Sequence, residues 1–217
     1  MGEYSMLEVD YDGLYESKRC EEENRILGNH LKAFSLLEGD VLDLGAGTGL
    51  VLKVSYGQIK TYTALDVSAK MLLKIPESPR VRRMCCDMDN LKGLDRYDSI
   101  VSTFGSFSYS LKPEKVLAQC HESLKDRGRI YLMPFAPRWG FGQNVYSEGN
   151  GVFQVRNFYT PEQLTGMMKR AGFKILDVRP VTVGLDWLPS PLWCLEGFLV
   201  RKFPRLGLYL SVVGEKI

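Results

Sequence analysis

Short, nearly continuous apolar runs alternate along this chain with stretches in which apolar residues recur every three or four positions. That alternation predicts strands covered on both faces, separated by helices. Val41, Leu42 and Leu44 make the first run, and residues 61–66, 80–86, 97–103 and 129–135 continue the series. Residues 173–180 and 208–213 read as strands near the C-terminus. Between them, a helix from Ser17 sets Ile26, Leu27, Leu31 and Phe34 on one face, and a short helix opens at Thr48 or Gly49. Ser68 caps a third helix with Met71 and Leu72 on its covered side. Residues 113–125 carry Val116, Leu117, Cys120 and Leu124 as a buried stripe, stopped by Asp126-Arg127-Gly128. Thr160-Pro161-Glu162-Gln163 holds an N-cap, a first-turn proline and the glutamine of a capping box, and Gly172 ends that helix. Residues 152–159 alternate as an extra cap or edge strand. The whole reads as one α/β domain over 1–217, with an N-terminal arm and helix over about 1–38 and loop or cap insertions over about 136–158 and 181–205.

The first strand runs straight into Gly45-Ala46-Gly47-Thr48-Gly49. Three alternating glycines let the backbone take positive φ and approach a ligand closely, and the short helix behind them would aim free N–H groups at it. A dinucleotide fingerprint places its third glycine three residues after its second; here that position is Leu50, so NAD is disfavoured. Asp43, just before the glycines, is placed to act through the turn on a cationic ligand such as an amino-acid ammonium.

Val41-Leu42-Asp43-Leu44-Gly45-Ala46-Gly47-Thr48-Gly49 resembles the first motif of class I S-adenosylmethionine (SAM) dependent methyltransferases. Thr63-Ala64-Leu65-Asp66-Val67-Ser68 resembles that family's second strand, whose terminal acid bonds both ribose hydroxyls. Cys86-Asp87-Met88 resembles the end of the third strand, whose Asp bonds the adenine amino group, and Tyr97-Asp98-Ser99-Ile100-Val101 resembles the fourth. The likeness covers about residues 40–135. It implies a Rossmann-like fold, a seven-stranded, mostly parallel sheet with helices on both faces, and S-adenosyl-L-methionine as cofactor. The implied cofactor site is Asp43, Gly45, Ala46, Gly47, Thr48, Gly49, Asp66, Val67, Met71, Asp87, Met88, Thr103 and Phe104. Small-molecule members often fold an N-terminal arm over the cofactor, and Tyr11-Asp12-Gly13-Leu14-Tyr15 is similar to it, which makes Tyr11 and Tyr15 substrate-pocket candidates. Loops at the carboxyl ends of parallel strands build the pocket of open α/β sheets, so Tyr109, Arg138 and Trp139 are expected to meet the acceptor. Arg138 suits a carboxylate or phosphate on it.

Composition narrows the partners. The 217 residues, 45% hydrophobic and 25% charged, suit one domain with a sizeable core. A net charge of +2 makes no case for nucleic acid, and Arg80, Arg82 and Arg83 read as a solvated strand entrance. DNA base methylation is also disfavoured by motif. The stretch after the fourth strand lacks the Asn/Asp-Pro-Pro-aromatic pattern of amino-methylating DNA enzymes, and the Pro-Cys nucleophile of cytosine-C5 enzymes is missing. Five cysteines without Cys-x-x-Cys spacing imply neither a disulfide framework nor a zinc site, and one of Cys85 and Cys86 is expected in the core. Residues 1–10 show no secretion signal, and Asp186, Pro189, Pro191 and Glu196 interrupt the longest apolar region, so no membrane span and a cytoplasmic setting are expected. His30 lies beside an apolar stripe and reads as a packing residue, and His121, at the margin of one, reads as a surface or boundary residue. With no histidine in the loops that leave the fourth and fifth strands, no general base or metal site is assigned, which favours an amine, carboxylate or already acidic hydroxyl. The expected activity is SAM-dependent methyl transfer to a small-molecule N or O acceptor, of the sugar N-methyltransferase or glycine methyltransferase type. A protein or RNA acceptor and a noncatalytic SAM- or nucleotide-binding module are the alternatives, and the oligomeric state is open.

Overall fold

The computed structural model describes residues 18–54, 58–91, 96–137, 144–148, 152–181, 202 and 207–217. In chain order these form α1 (Lys18–Ala33), β1 (Gly39–Leu44), α2 (Leu50–Val54), β2 (Ile59–Asp66), α3 (Ala69–Leu73), β3 (Val81–Cys85), β4 (Tyr97–Ser102) and α4 (Pro113–Ser123). They continue with β5 (Leu124–Leu132), β6 (Asn144–Glu148), β7 (Val152–Arg156), α5 (Pro161–Arg170), β8 (Phe173–Val181) and β9 (Tyr209–Lys216). Seven strands make one sheet in the order β3-β2-β1-β4-β5-β9-β8, in which β9 runs antiparallel to the other six.

Each strand sends successive side chains to opposite faces, so the sheet divides its apolar residues between two cores. Val41, Tyr62, Ala64, Val101 and Tyr131 meet Leu27 and Leu31 of α1, Val51 of α2 and Leu72 of α3 on one face. Leu42, Leu44, Leu65, Ile100, Ile130 and Leu132 meet Val116, Leu117 and Cys120 of α4 and Leu164 and Met168 of α5 on the other. Each fully buried aliphatic side chain contributes roughly 1.5–3 kcal/mol. The amino edge is tied by Lys125, whose Nζ lies 2.8 Å from both Asp40 and Asp98, which leaves the carboxyl edge to carry the site.

The expected helix caps are present: Ser68 Oγ accepts from the Met71 N–H, and Thr160 and Gln163 close a capping box. Other expectations are corrected. Ile26 is 45% exposed, so the inward stripe of α1 is Leu27, His30 and Leu31. Asp126-Arg127-Gly128 does not end α4; the helix stops at Ser123 and β5 starts at Leu124. Arg127, not the glycine, takes the left-handed conformation (φ 60°), and the glycine is needed for close approach, since a Cβ at residue 128 would lie 2.8 Å from the Lys125 carbonyl oxygen. Residues 144–148, read as part of an insertion, form β6, and β7 pairs antiparallel with it in a separate two-stranded sheet. Cys86 is half-buried against a core, while Cys85 is exposed. Cys194 and most of the 181–205 insertion, like the arm before residue 18, lie outside the described residues. No helix among the described residues is long and apolar enough to cross a membrane.

His30 does pack. Its Nε2 is 3.2 Å from Asp177 Oδ2 and its Nδ1 is 3.3 Å from Ser211 Oγ, with Phe34 and Tyr131 edge-on to the ring. The order Ser-His-Asp mimics a hydrolytic triad, but Ser211 is wholly buried and no substrate can reach it. The neutral ring donates from Nε2 to the carboxylate and accepts at Nδ1 from the serine hydroxyl. Burial, and then the charge of Arg179, lower the pKa of His30 below its ordinary 6.5. The unfolded chain therefore takes up this proton first, so the contribution of His30 to stability is complete above about 6.5 and is lost as pH falls through its folded value. In urea titrations at pH 7.5 and 5.5, the wild type is expected to lose more stability than His30→Gln. Equal losses would mean that the folded ring protonates as freely as the unfolded one.

Candidate functional site

The glycine turn at the carboxyl end of β1 takes positive φ at Gly45 (76°), Gly47 (53°) and Gly49 (83°). The turn curls back on its own chain: Gly45 and Ala46 donate to the Leu65 carbonyl at 2.7 and 3.0 Å, Gly47 donates to Asp66 Oδ2 at 2.8 Å, and Gly49 donates to Ala46 at 2.9 Å. What the turn offers is space. Among the described residues nothing lies within 4 Å of a Cβ built at Gly47, whereas one at Gly45 would meet Ser106 at 2.5 Å and one at Gly49 would meet Ile75 at 3.0 Å. The side chains of Ala46 and Thr48 are buried, so these residues have only backbone to present.

Asp66 closes β2 and gathers two backbone donors, Gly47 at Oδ2 and Ser68 at Oδ1, each at 2.8 Å. A carboxylate oxygen accepts more than one bond, so both keep capacity for a ligand hydroxyl. Val67 beside it is 42% exposed, and Met71 of α3 is half-buried. The Cys86 N–H donates to the Asp66 carbonyl at 3.0 Å, which fixes the end of β3 against that of β2. Asp87 follows, exposed, and caps the 3-10 turn Met88–Asn90 by accepting from the Asp89 N–H at 2.9 Å. The Met88 methyl lies 3.7 Å from the point a Gly45 Cβ would occupy. Asp43 stands behind the turn. It is 1% exposed, accepts from the Tyr62 hydroxyl at 2.5 Å through Oδ2, and has no partner at Oδ1 among the described residues. Burial pushes its carboxyl up to about 7, against the Tyr62 hydrogen bond and with help from the charge of Asp66.

The end of β4 faces the same edge. Thr103 is buried, and Phe104 (φ 47°) and Gly105 (φ 83°) form a left-handed pair that turns the chain sharply. Residue 105 must be glycine, because a Cβ there would fall 2.3 Å from the Phe135 ring. Two serines that the sequence reading did not single out brace the glycine turn: Ser102 Oγ donates to the Leu44 carbonyl at 2.9 Å and Ser106 Oγ to that of Gly45 at 3.1 Å.

Beyond them lies a group of rings. Phe135 stacks on Tyr209 with centroids 5.2 Å apart, with Phe158 at 6.0 Å and Tyr109 edge-on at 6.5 Å, while Phe104 meets Tyr209 edge-on at 5.7 Å. Tyr109 and Phe104 were expected at the site; Phe135, Phe158 and Tyr209 were not, since they come from separate segments that only the fold unites. The loop bearing Tyr109 is anchored by Asp89, which is 6% exposed. Its carboxylate accepts from Ser110 Oγ at 2.5 Å and from the N–H groups of Leu111 and Lys112 at 2.8 and 3.2 Å. In sequence Asp89 is one more acid in a loop, with no signal to mark it. Tyr11, Tyr15, Arg138 and Trp139 lie outside the described residues.

A family model described as a methyltransferase domain matches residues 18–178. The chain belongs to this methyltransferase family. A demethylmenaquinone methyltransferase from Thermotoga maritima is 32% identical to it over 163 residues, 62% of this chain and 70% of the relative. Among solved structures, an S-adenosylmethionine-dependent methyltransferase from Clostridium acetobutylicum superposes with a TM-score of 0.64 at 16% identity, covering 96% of this chain and 93% of its own. The 1,6-didemethyltoxoflavin-N1-methyltransferase of Burkholderia thailandensis, solved with 1,6-didemethyltoxoflavin and S-adenosylhomocysteine, superposes at 0.61 with 21% identity, covering 94% and 81%. At those identities the two structures speak for the fold alone. The methyltransferase is an enzyme with S-adenosylmethionine as its cofactor, and its residues suit that group: open space at Gly47, a carboxylate closing β2 and an exposed one after β3.

Proposed function

We propose that this methyltransferase passes a methyl group to a nitrogen or oxygen of a small acceptor built on a flat ring, held at the carboxyl edge of β4 and β5. The observation that carries this reading is the cluster of Phe104, Tyr109, Phe135, Phe158 and Tyr209 beside the glycine turn. Aromatic faces and edges give a planar ligand large apolar contact with defined orientation. The names printed for the Thermotoga relative and the Burkholderia ligand, demethylmenaquinone and 1,6-didemethyltoxoflavin, are also those of ring compounds. In this reading the cofactor lies over Gly47, with Asp66 accepting from its ribose hydroxyls and Asp87 from its adenine amino group.

When bound, S-adenosylmethionine supplies an activated methyl on its sulfonium, so the chain need not provide the reactive group. The protein's part is position. Holding an acceptor in line at near-attack distance is worth roughly 7–11 kcal/mol at the upper end of measured orientation effects. The left-handed turn at Phe104-Gly105, fixed by the Gly105 N–H bond to the Met133 carbonyl at 2.9 Å, sets the rings against the glycine turn. The test is an acceptor screen by S-adenosylhomocysteine release, comparing phenols, quinols and heteroaromatic amines with aliphatic amines and sugars. Turnover confined to the aliphatic group would overturn the ring reading. Asp66→Ala is expected to weaken SAM binding by about 1–3 kcal/mol, as two hydrogen bonds to a charged group are lost. Unchanged affinity in calorimetric titration would remove Asp66 from the ribose.

A further inference from the structure

Asp43 is in an unusual position for a carboxylate. Its Oδ1 is buried without a partner, and its single described side-chain donor is the neutral Tyr62 hydroxyl at Oδ2, which in turn takes a bond from the Leu52 backbone. Among the described residues, the elements around it supply no cation. From β2 it meets Tyr62 and the negative charge of Asp66; its strand partners are Ala64 and Val101; and the one basic side chain of α2, Lys53, is exposed. An ionised carboxylate so enclosed is costly unless paired, and a second acid nearby adds to the cost. The missing partner is a positive charge, and Asp43 stands directly behind the glycine turn, whose open position among the described residues is Gly47, so a cation held there would act on it through the turn.

Resting on the cofactor placement given above, we propose that Asp43 holds a proton in the free enzyme and releases it to solvent when S-adenosylmethionine binds, the carboxylate left behind balancing the positive charge of the ligand. The proton balance is simple: the O–H bond of the Asp43 carboxyl breaks, the buffer takes the proton, and no electrons move. Asp43 is thus a positioning residue whose charge appears only with the cofactor. Its carboxyl, pushed up to about 7 by burial, makes the exchange measurable near neutrality. Affinity then rises with pH through that range, by up to about tenfold per unit while the free enzyme is protonated and the complex is not.

The experiment is calorimetric titration of the wild type and Asp43→Asn with S-adenosylmethionine, S-adenosylhomocysteine and the uncharged methylthioadenosine. Titrations run from pH 6 to 8, in phosphate and in Tris, whose ionisation heats differ. The ligand's own amino group titrates near pH 8, so the deciding titrations are those below pH 7, where it is protonated both free and bound and the difference between the two proteins isolates Asp43. The wild type is expected to release a fraction of a proton with S-adenosylmethionine that Asp43→Asn does not, and to release none with methylthioadenosine. Tyr62→Phe removes the one donor that favours the charged form, so its affinity profile should move to higher pH; it serves as the readout if Asp43→Asn does not fold. S-adenosylmethionine binding with equal proton release in wild type and Asp43→Asn, or a Tyr62→Phe profile that does not move, overturns the proposal while sparing the cofactor site. No binding of any of the three ligands overturns both.

Discussion

Replacing Gly47 by valine is expected to weaken S-adenosylmethionine binding by at least about 100-fold, roughly 2.8 kcal/mol, in a protein that still folds. Gly47 sits at φ 53°, which a β-branched residue adopts only with strain of roughly 1–3 kcal/mol. Among the described residues no atom lies within 4 Å of its Cβ, so the branch point itself meets no clash there. The isopropyl group would stand in the space through which backbone and ligand approach each other. Gly45→Ala is the contrasting control. There the Cβ would strike Ser106 at 2.5 Å and disturb the serine that braces the Gly45 carbonyl, so its damage should appear in thermal stability. Calorimetry and thermal melts on both variants separate the effects; Gly47→Val that bound the cofactor normally would mean the turn faces elsewhere.

Asp89→Ala should be among the most destabilising single changes near the site. One buried carboxylate satisfies the Ser110 hydroxyl and two successive backbone N–H groups, and its own carbonyl accepts from Lys115 Nζ at 2.8 Å. Alanine leaves the Leu111 and Lys112 N–H groups without that acceptor, each hydrogen bond to a charged group being worth roughly 1.5–3 kcal/mol. Since such bonds do not add, a net loss of about 3 kcal/mol is expected, seen as a fall in Tm of about 6–12 °C for a chain of this size. Asp89→Asn keeps one carbonyl oxygen and should fall between alanine and wild type. The same loop carries Tyr109, so acceptor KM should rise in Asp89→Asn with little change in cofactor affinity. A melt within 2 °C of wild type for Asp89→Ala, about what 1 kcal/mol would give, would show that the loop holds itself without this acid.

Asp66 and Asp89 show where reading the chain succeeds and where it stops. Asp66 could be placed at the mouth of the site because it ends a β-rich run at a telling distance from three alternating glycines, and both features are local. Asp89 sits two residues after Asp87 and looks the same in sequence, yet its partners are Ser110, Leu111 and Lys112, across a strand it does not touch in the chain. His30 was legible as a packing residue from its place beside an apolar stripe, but its bonds to Asp177 and Ser211 join ends of the chain that no local pattern relates.

The alternation of apolar runs and helical stripes, the caps at Ser68 and Thr160, and the glycine turn follow from properties of neighbouring residues: side-chain period, hydrogen bonding to the nearest N–H, and the φ a residue tolerates. Those fix an α/β chain and point to its cofactor. The place of β9 between β5 and β8, the convergence of Phe135, Phe158 and Tyr209 on Phe104 and Tyr109, and the isolation that leaves Asp43 without a cation arise from pairings between segments distant in the chain. Their free energy comes from burying surfaces together in three dimensions, where a residue's surroundings, and with them its charge and its use, are set by neighbours that the order of residues does not name.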